Sequence, residues 1–145
     1  MKNLTYLSSL LFLVLLLTAC GKDGDNPTPD AATFRVDFAQ SGDYEKFVKI
    51  FTISGGEFKY RGTNDKVPLV MLGDDANEPT WSIEGTDIEE LEIETLTEFL
   101  SVADRPATMT MKFTIYKNGV LLEEKSFTYN DNIGTRTELL NYKAN

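Results

Sequence analysis

Thr108-Met-Thr-Met-Lys-Phe-Thr-Ile115 alternates polar and apolar side chains along its whole length, and Tyr116 to Gly119 leads from it into a second extended run, Leu121 to Tyr129. Period-two alternation puts Met109, Met111, Phe113 and Ile115 on one face, the pattern of a half-buried strand. Asn118-Gly119 between two such runs signals a hairpin, because both residues tolerate the positive φ of a tight turn. Loop length then sets the register. A two-residue loop would bring Lys112 opposite Lys125, and like charges directly across a sheet repel. A three-residue loop, Lys117-Asn118-Gly119 with Gly119 left-handed, sets Lys112 against Glu124 and Ile115 against Leu121, and is the arrangement expected.

Outward from this hairpin, Phe34-Arg-Val-Asp-Phe38 and Phe58-Lys-Tyr-Arg61 alternate in the same way, and Tyr44 to Ile53 is rich in aromatic and β-branched residues. Val67 to Leu72 and Thr137 to Tyr142 complete the candidate strands, with turn residues at Ser41-Gly42-Asp43, Gly55-Gly56 and Gly73-Asp74-Asp75. Seven or eight short strands separated by turns predict an all-β fold, an antiparallel β-sandwich over residues 33–145. Thr86 to Val102 reads two ways. Ile88, Leu91, Thr95, Phe99 and Val102 share a helical face behind a Thr86-x-x-Glu89 capping box, whereas Leu91, Ile93 and Thr95 alternate with Glu90, Glu92 and Glu94 as in a strand. Strand is expected for 90–95; a helix near 96–102 would make the fold α+β.

The 145 residues suffice for one domain with a sizeable core. Fourteen Lys and Arg against twenty-three Asp and Glu give a formal charge of -9, which repels nucleic acid. With no histidine and a single cysteine, imidazole bases, His or Cys metal cages and intrachain disulfides are excluded. No Gly-x-Ser-x-Gly elbow, Ser-x-x-Lys, P-loop or dinucleotide fingerprint is present. An enzyme is not expected.

Lys2, the apolar run Leu10 to Leu17 and the small residues Thr18-Ala19 before Cys20 have the order of a secretory signal peptide, residues 1–19. Even from Leu7 to Ala19 the apolar stretch makes a helix of only about 20 Å, short of the roughly 30 Å hydrocarbon core. Leu17-Thr18-Ala19-Cys20 resembles the lipobox of bacterial lipoproteins, which implies that Cys20 becomes the mature N-terminus and carries acyl chains. Each buried methylene adds about 0.8 kcal/mol, so two or three chains hold a protein on a membrane durably. Residues 20–32 are then a tether rich in Gly, Pro and Asp, about 20 Å long as a coil. Lys22-Asp23-Gly24-Asp25 resembles the short charged signals that send lipoproteins of the Bacteroidota to the outer face of the outer membrane. Together with a small acidic β-rich domain, these features resemble the small surface lipoproteins of the Bacteroidota, many of which carry Ig-like sandwiches. The resemblance implies an outer-membrane, lipid-anchored protein exposed at the cell surface.

Between Val67 and Asp104 lie eleven acidic residues and no Lys or Arg. Glu90, Glu92 and Glu94 form a candidate acidic patch, with a solvated face as the plainer alternative. Gly73-Asp74-Asp75-Ala76-Asn77-Glu78 offers Asp74, Asp75 and Glu78 as oxygen ligands for Ca²⁺; no other cofactor is indicated. Tyr116 and Trp81 are candidates for an aromatic platform, though a lone Trp in a small sandwich more often packs in the core. The function expected is a membrane-anchored, non-catalytic binding module that contacts a protein or glycan. The alternatives are a carboxylate- or metal-dependent hydrolase of surface polymers and a purely structural envelope lipoprotein.

Overall fold

The structure is a computed structural model that describes residues 30–145. The leader, Cys20 and the tether up to Pro29 lie outside the described residues. β1 (Ala32–Gly42) leads through a 3-10 turn (Tyr44–Lys46) into β2 (Phe47–Ser54). Two short strands follow, β3 (Lys59–Tyr60) and β4 (Val70–Met71), then the single helical turn α1 (Asp74–Asn77). β5 (Thr80–Ile88), β6 (Glu90–Phe99), β7 (Thr108–Lys117), β8 (Val120–Asn130) and β9 (Arg136–Lys143) complete the described chain.

The strands form two antiparallel sheets, β3-β5-β1-β7-β8 and β4-β2-β6-β9, packed face to face as an all-β sandwich. Among the described residues nine strands stand where seven or eight were expected. The additional strand is β5, whose alternation Trp81, Ile83 is interrupted by Gly85. Glycine is required there because the Phe58 ring occupies the space a Cβ would take. β1 and β2 lie in different sheets, whereas the first two strands of a constant-type immunoglobulin domain share one.

Glu90 to Phe99 is strand throughout, so no helix forms near 96–102. Leu91, Ile93, Thr95, Thr97 and Phe99 are buried in alternation, while Val102, which helical periodicity would bury, is 92% exposed. Period two prevails because it buries five side chains against the opposite sheet.

The β7–β8 hairpin also corrects the expectation. Its loop has two residues, with Asn118 at φ 52° and Gly119 at φ 79°, and Lys117 pairs with Val120. The turn is held from outside: Asn118 N–H donates to the Thr33 carbonyl (2.8 Å), and Thr33 N–H donates to Asn118 Oδ1 (2.9 Å). The Lys112–Lys125 clash is avoided by a bulge. Tyr116 pairs with Leu121 but Ile115 with Glu123, leaving Leu122 as the extra residue and Lys112 opposite Ser126.

The core lies between the sheets, where Phe34, Val36 and Phe38 of β1 and Met109, Met111, Phe113 and Ile115 of the neighbouring β7 face Phe47, Phe51 and Ile53 of β2. Burying each such side chain contributes about 1.5–3 kcal/mol. Antiparallel register fixes two ends. The near end gathers the start of β1, the β5–β6 corner at Glu89, the Asn118-Gly119 turn and Ala144, whose N–H donates to the Glu89 carbonyl (2.8 Å). The far end gathers Asp43, α1 and the loops after β6 and β8.

Candidate functional site

The acidic loop at the far end is built around a side chain from another strand. Gln40 continues the inward row Phe34, Val36, Phe38 of β1 and is 6% exposed. Its Nε2 donates to the carbonyls of Ala76 (3.1 Å) and Glu78 (2.7 Å), and its backbone N–H donates to the Pro79 carbonyl (2.9 Å). Ala76 is buried beneath α1, so Asp74, Asp75, Asn77 and Glu78 are turned to the surface. Among the described residues none of these carboxylates has a Lys or Arg within ion-pair distance. The hydroxyl of Tyr60 is pushed up by burial and, secondarily, by the charge of Asp75.

Asp, Glu and amide oxygens are the ligands a hard cation such as Ca²⁺ takes. The loop supplies them, and Gln40 Oε1 is a buried oxygen without a hydrogen-bond partner on the amide that grips the loop. That orphaned oxygen fits a cation-binding corner. Among the described residues no three acidic side chains converge into a ready-made cage, so the loop provides donors rather than a closed site.

Glu90, Glu92 and Glu94 project from the outer face of β6, joined by Glu98. Asn141 Nδ2 donates to Glu90 Oε1 at 2.7 Å and reaches Glu92 Oε2 at 3.4 Å. The facing row of β2 is Val48, Ile50, Thr52 and Ser54, without charge, and β9 sets Leu139 beside Glu94. Val48, Val70 and Leu139 are exposed on this face. The four-stranded sheet therefore turns outward a surface both acidic and apolar.

Trp81 and Tyr116 do not meet. Trp81 points into the core, 7% exposed, stacked on Phe38 (centroids 4.6 Å apart, 18° between planes) and edge-on to Phe51 and Phe113. Tyr116 lies on the opposite face of the same sheet, with the Arg35 guanidinium 3.5 Å from its ring centroid. Two functional-looking residues escaped the sequence analysis, Gln40 and Lys49. Both follow from period two: Lys49 stands between Phe47 and Phe51 on the inward row of β2 and is 3% exposed, its Nζ donating to the Tyr44 carbonyl at 2.5 Å.

A hollow of about 370 Å³ beside β3 is lined by Glu57, Lys59, Arg61 and Glu84, open and of mixed charge. Glu57 is held below the usual carboxylate range chiefly by its hydrogen bond from Lys66. The described domain is an antiparallel sandwich with an acidic, oxygen-rich loop at one end, in the class of small β-sandwich domains. Within that class, the chain belongs to the family of PLAT/LH2 and C2-like Ca²⁺-binding lipoproteins, whose model matches residues 2–143. The family is one of lipoproteins and indicates no catalytic activity.

The fold is similar to that of a Parabacteroides distasonis protein whose NMR structure is of the calcium-bound form. The TM-score is 0.62 at 25% identity, covering 83% of this chain and 99% of that one. It is also similar to a domain of unknown function, DUF4425, from Bacteroides vulgatus, with TM-score 0.62, 11% identity, and 78% and 94% coverage. A DUF4425 family protein from Bacteroides ovatus gives TM-score 0.61 at 10% identity, with 79% and 96% coverage. These last two likenesses concern the fold alone. No curated protein matches the chain.

Proposed function

We propose that this chain is a lipid-anchored, non-catalytic calcium-binding module of the outer envelope, moored through Cys20 and exposed at the cell surface. Ca²⁺ binds at Asp74, Asp75 and Glu78. The observation that carries this reading is the Gln40 side chain, buried, gripping the acidic loop and left with an unpartnered oxygen. The calcium-bound state of the Parabacteroides distasonis protein supports it. The outer face around Glu92, Glu94 and Leu139 suits a protein partner with basic and apolar side chains. A glycan would call for an exposed aromatic platform, and Trp81 is buried.

Thermal unfolding of the mature protein across a Ca²⁺ titration tests the assignment. Ligand at a hundred times its Kd stabilises the folded state by about 2.7 kcal/mol. Wild type and Glu92→Gln/Glu94→Gln are expected to gain melting temperature with Ca²⁺, and Asp74→Asn/Asp75→Asn to lose that gain. Equal responses in all three proteins would remove Ca²⁺ from the loop. Protease treatment of whole cells reads display: a protected domain rules out the surface.

A further inference from the structure

β8 begins with three consecutive apolar residues, Val120, Leu121 and Leu122, exposed by 70%, 52% and 47%. A strand packed on a core buries alternate side chains; here none of the three is buried, and the bulge at Leu122 breaks the alternation. The triplet serves no packing role inside the sandwich, and it stands at the Asn118-Gly119 turn, an extremity of the near end.

The chain enters the sandwich at this same point. Thr33 is bonded through both its N–H and its carbonyl to Asn118. Thr33 follows Cys20 by thirteen residues, a reach of about 20 Å as a coil. Lys117, beside the triplet, donates from its ammonium to the Lys143 backbone carbonyl (3.3 Å), which sets one lysine head at the tip. Apolar side chains with a lysine stem beside them suit the boundary between headgroups and acyl chains.

We propose that Val120, Leu121 and Leu122 dip into the lipid leaflet that holds the acyl chains of Cys20, giving the sandwich a fixed orientation with α1 and the acidic loop directed away from the bilayer. The proposal rests on the lipid-anchor reading above. The tether keeps the tip within reach of the surface, so a weak insertion is sustained by high effective concentration.

The test uses the full chain, processed in cells and reconstituted in phosphatidylethanolamine/phosphatidylglycerol vesicles. Cys20 is the one cysteine of the sequence, and acylation consumes its thiol. Val120→Cys therefore offers a single site for an environment-sensitive fluorophore, and Val102→Cys, at a 92% exposed far-end position, is the control. With intact mass confirming the acyl chains, the label at 120 is expected to shift to the blue and lose emission to doxyl-labelled lipid. The label at 102 is expected to do neither, and Leu121→Ser/Leu122→Ser to reduce the loss at 120. Equal solvent exposure of the two labels overturns the proposal while leaving the anchor standing. A blue shift that persists in detergent and grows with protein concentration marks a second copy of the chain at the tip and overturns it too. A mass without acyl chains overturns the anchor and the insertion together.

Discussion

Lys112 Nζ lies 2.6 Å from Glu124 Oε2, although the residue directly across the ladder from Lys112 is Ser126. The pair is diagonal because Leu122 is an extra residue in β8. Deleting Leu122 leaves Tyr116 against Leu121 and every pair from Ile115–Glu123 onward unchanged. The deletion variant is expected to keep its stability within about 0.5 kcal/mol, the range of ordinary surface changes, and to keep the Lys112–Glu124 pair. Chemical denaturation and cross-strand proton contacts between Thr114 and Glu124 check this. A register change beyond Glu123 would refute it.

Burial pushes the Lys49 ammonium down to about 8, against the opposing pull of Glu45. A depressed lysine loses its proton in the folded chain first. Between about pH 8 and the ordinary lysine value near 10.4, the unfolded chain holds more protons, so stability rises with pH by up to about 3 kcal/mol. Lys49→Met is expected to be more stable than wild type at pH 7 and to lack this rise. Tyr129, pushed up to about 12 by burial and then by Glu138, gives the opposite slope once the unfolded chain ionises near pH 10. Urea unfolding between pH 7 and about pH 10 is the measurement, and parallel profiles for the two proteins would contradict the assignment.

Tyr142 of β9 donates its hydroxyl to Glu123 Oε2 of β8 at 2.7 Å, joining the two sheets across their open flank. That bond, with a smaller contribution from Lys125, holds the Glu123 carboxyl below its usual range. The stabilisation is present above the unfolded glutamate pKa and is lost as pH falls through the depressed one. Tyr142→Phe is expected to be less stable than wild type at neutral pH, with the gap closing in acid. A gap independent of pH would place the effect in packing.

Gln40→Met keeps the volume of a buried side chain but removes the donor from the carbonyls of Ala76 and Glu78. Buried acceptors left without a partner cost about 1–3 kcal/mol. The variant is expected to lose that much stability and to respond more weakly to Ca²⁺ with all three carboxylates intact. An unchanged calcium response would separate the loop's clamp from its ligands.

Period two carried most of the architecture in the sequence. Met109 to Ile115 and Phe34 to Phe38 are buried in alternation as read, and the same rule extended by one step reaches Gln40 and Lys49. What the local pattern could not show depends on distant partners. The two-residue turn is selected by Thr33, 85 residues from Asn118. β5 is disguised by Gly85, present because Phe58 packs over it. The acidity of Asp74 to Glu78 was plain, but the grip of Gln40, 36 residues before Ala76, was not. Trp81 is buried beside Ile83 on the inward row of β5, and its stacking on Phe38 depends on a cross-strand register that the local sequence does not show.

The strands that border the sandwich are unequal. β3 and β4 have two residues each, while β8 and β9 run eleven and eight and share the opposite flank. Among the described residues that flank carries the two longest border strands. A strand from another chain would therefore pair over more residues along β8 or β9 than along the two-residue strands opposite.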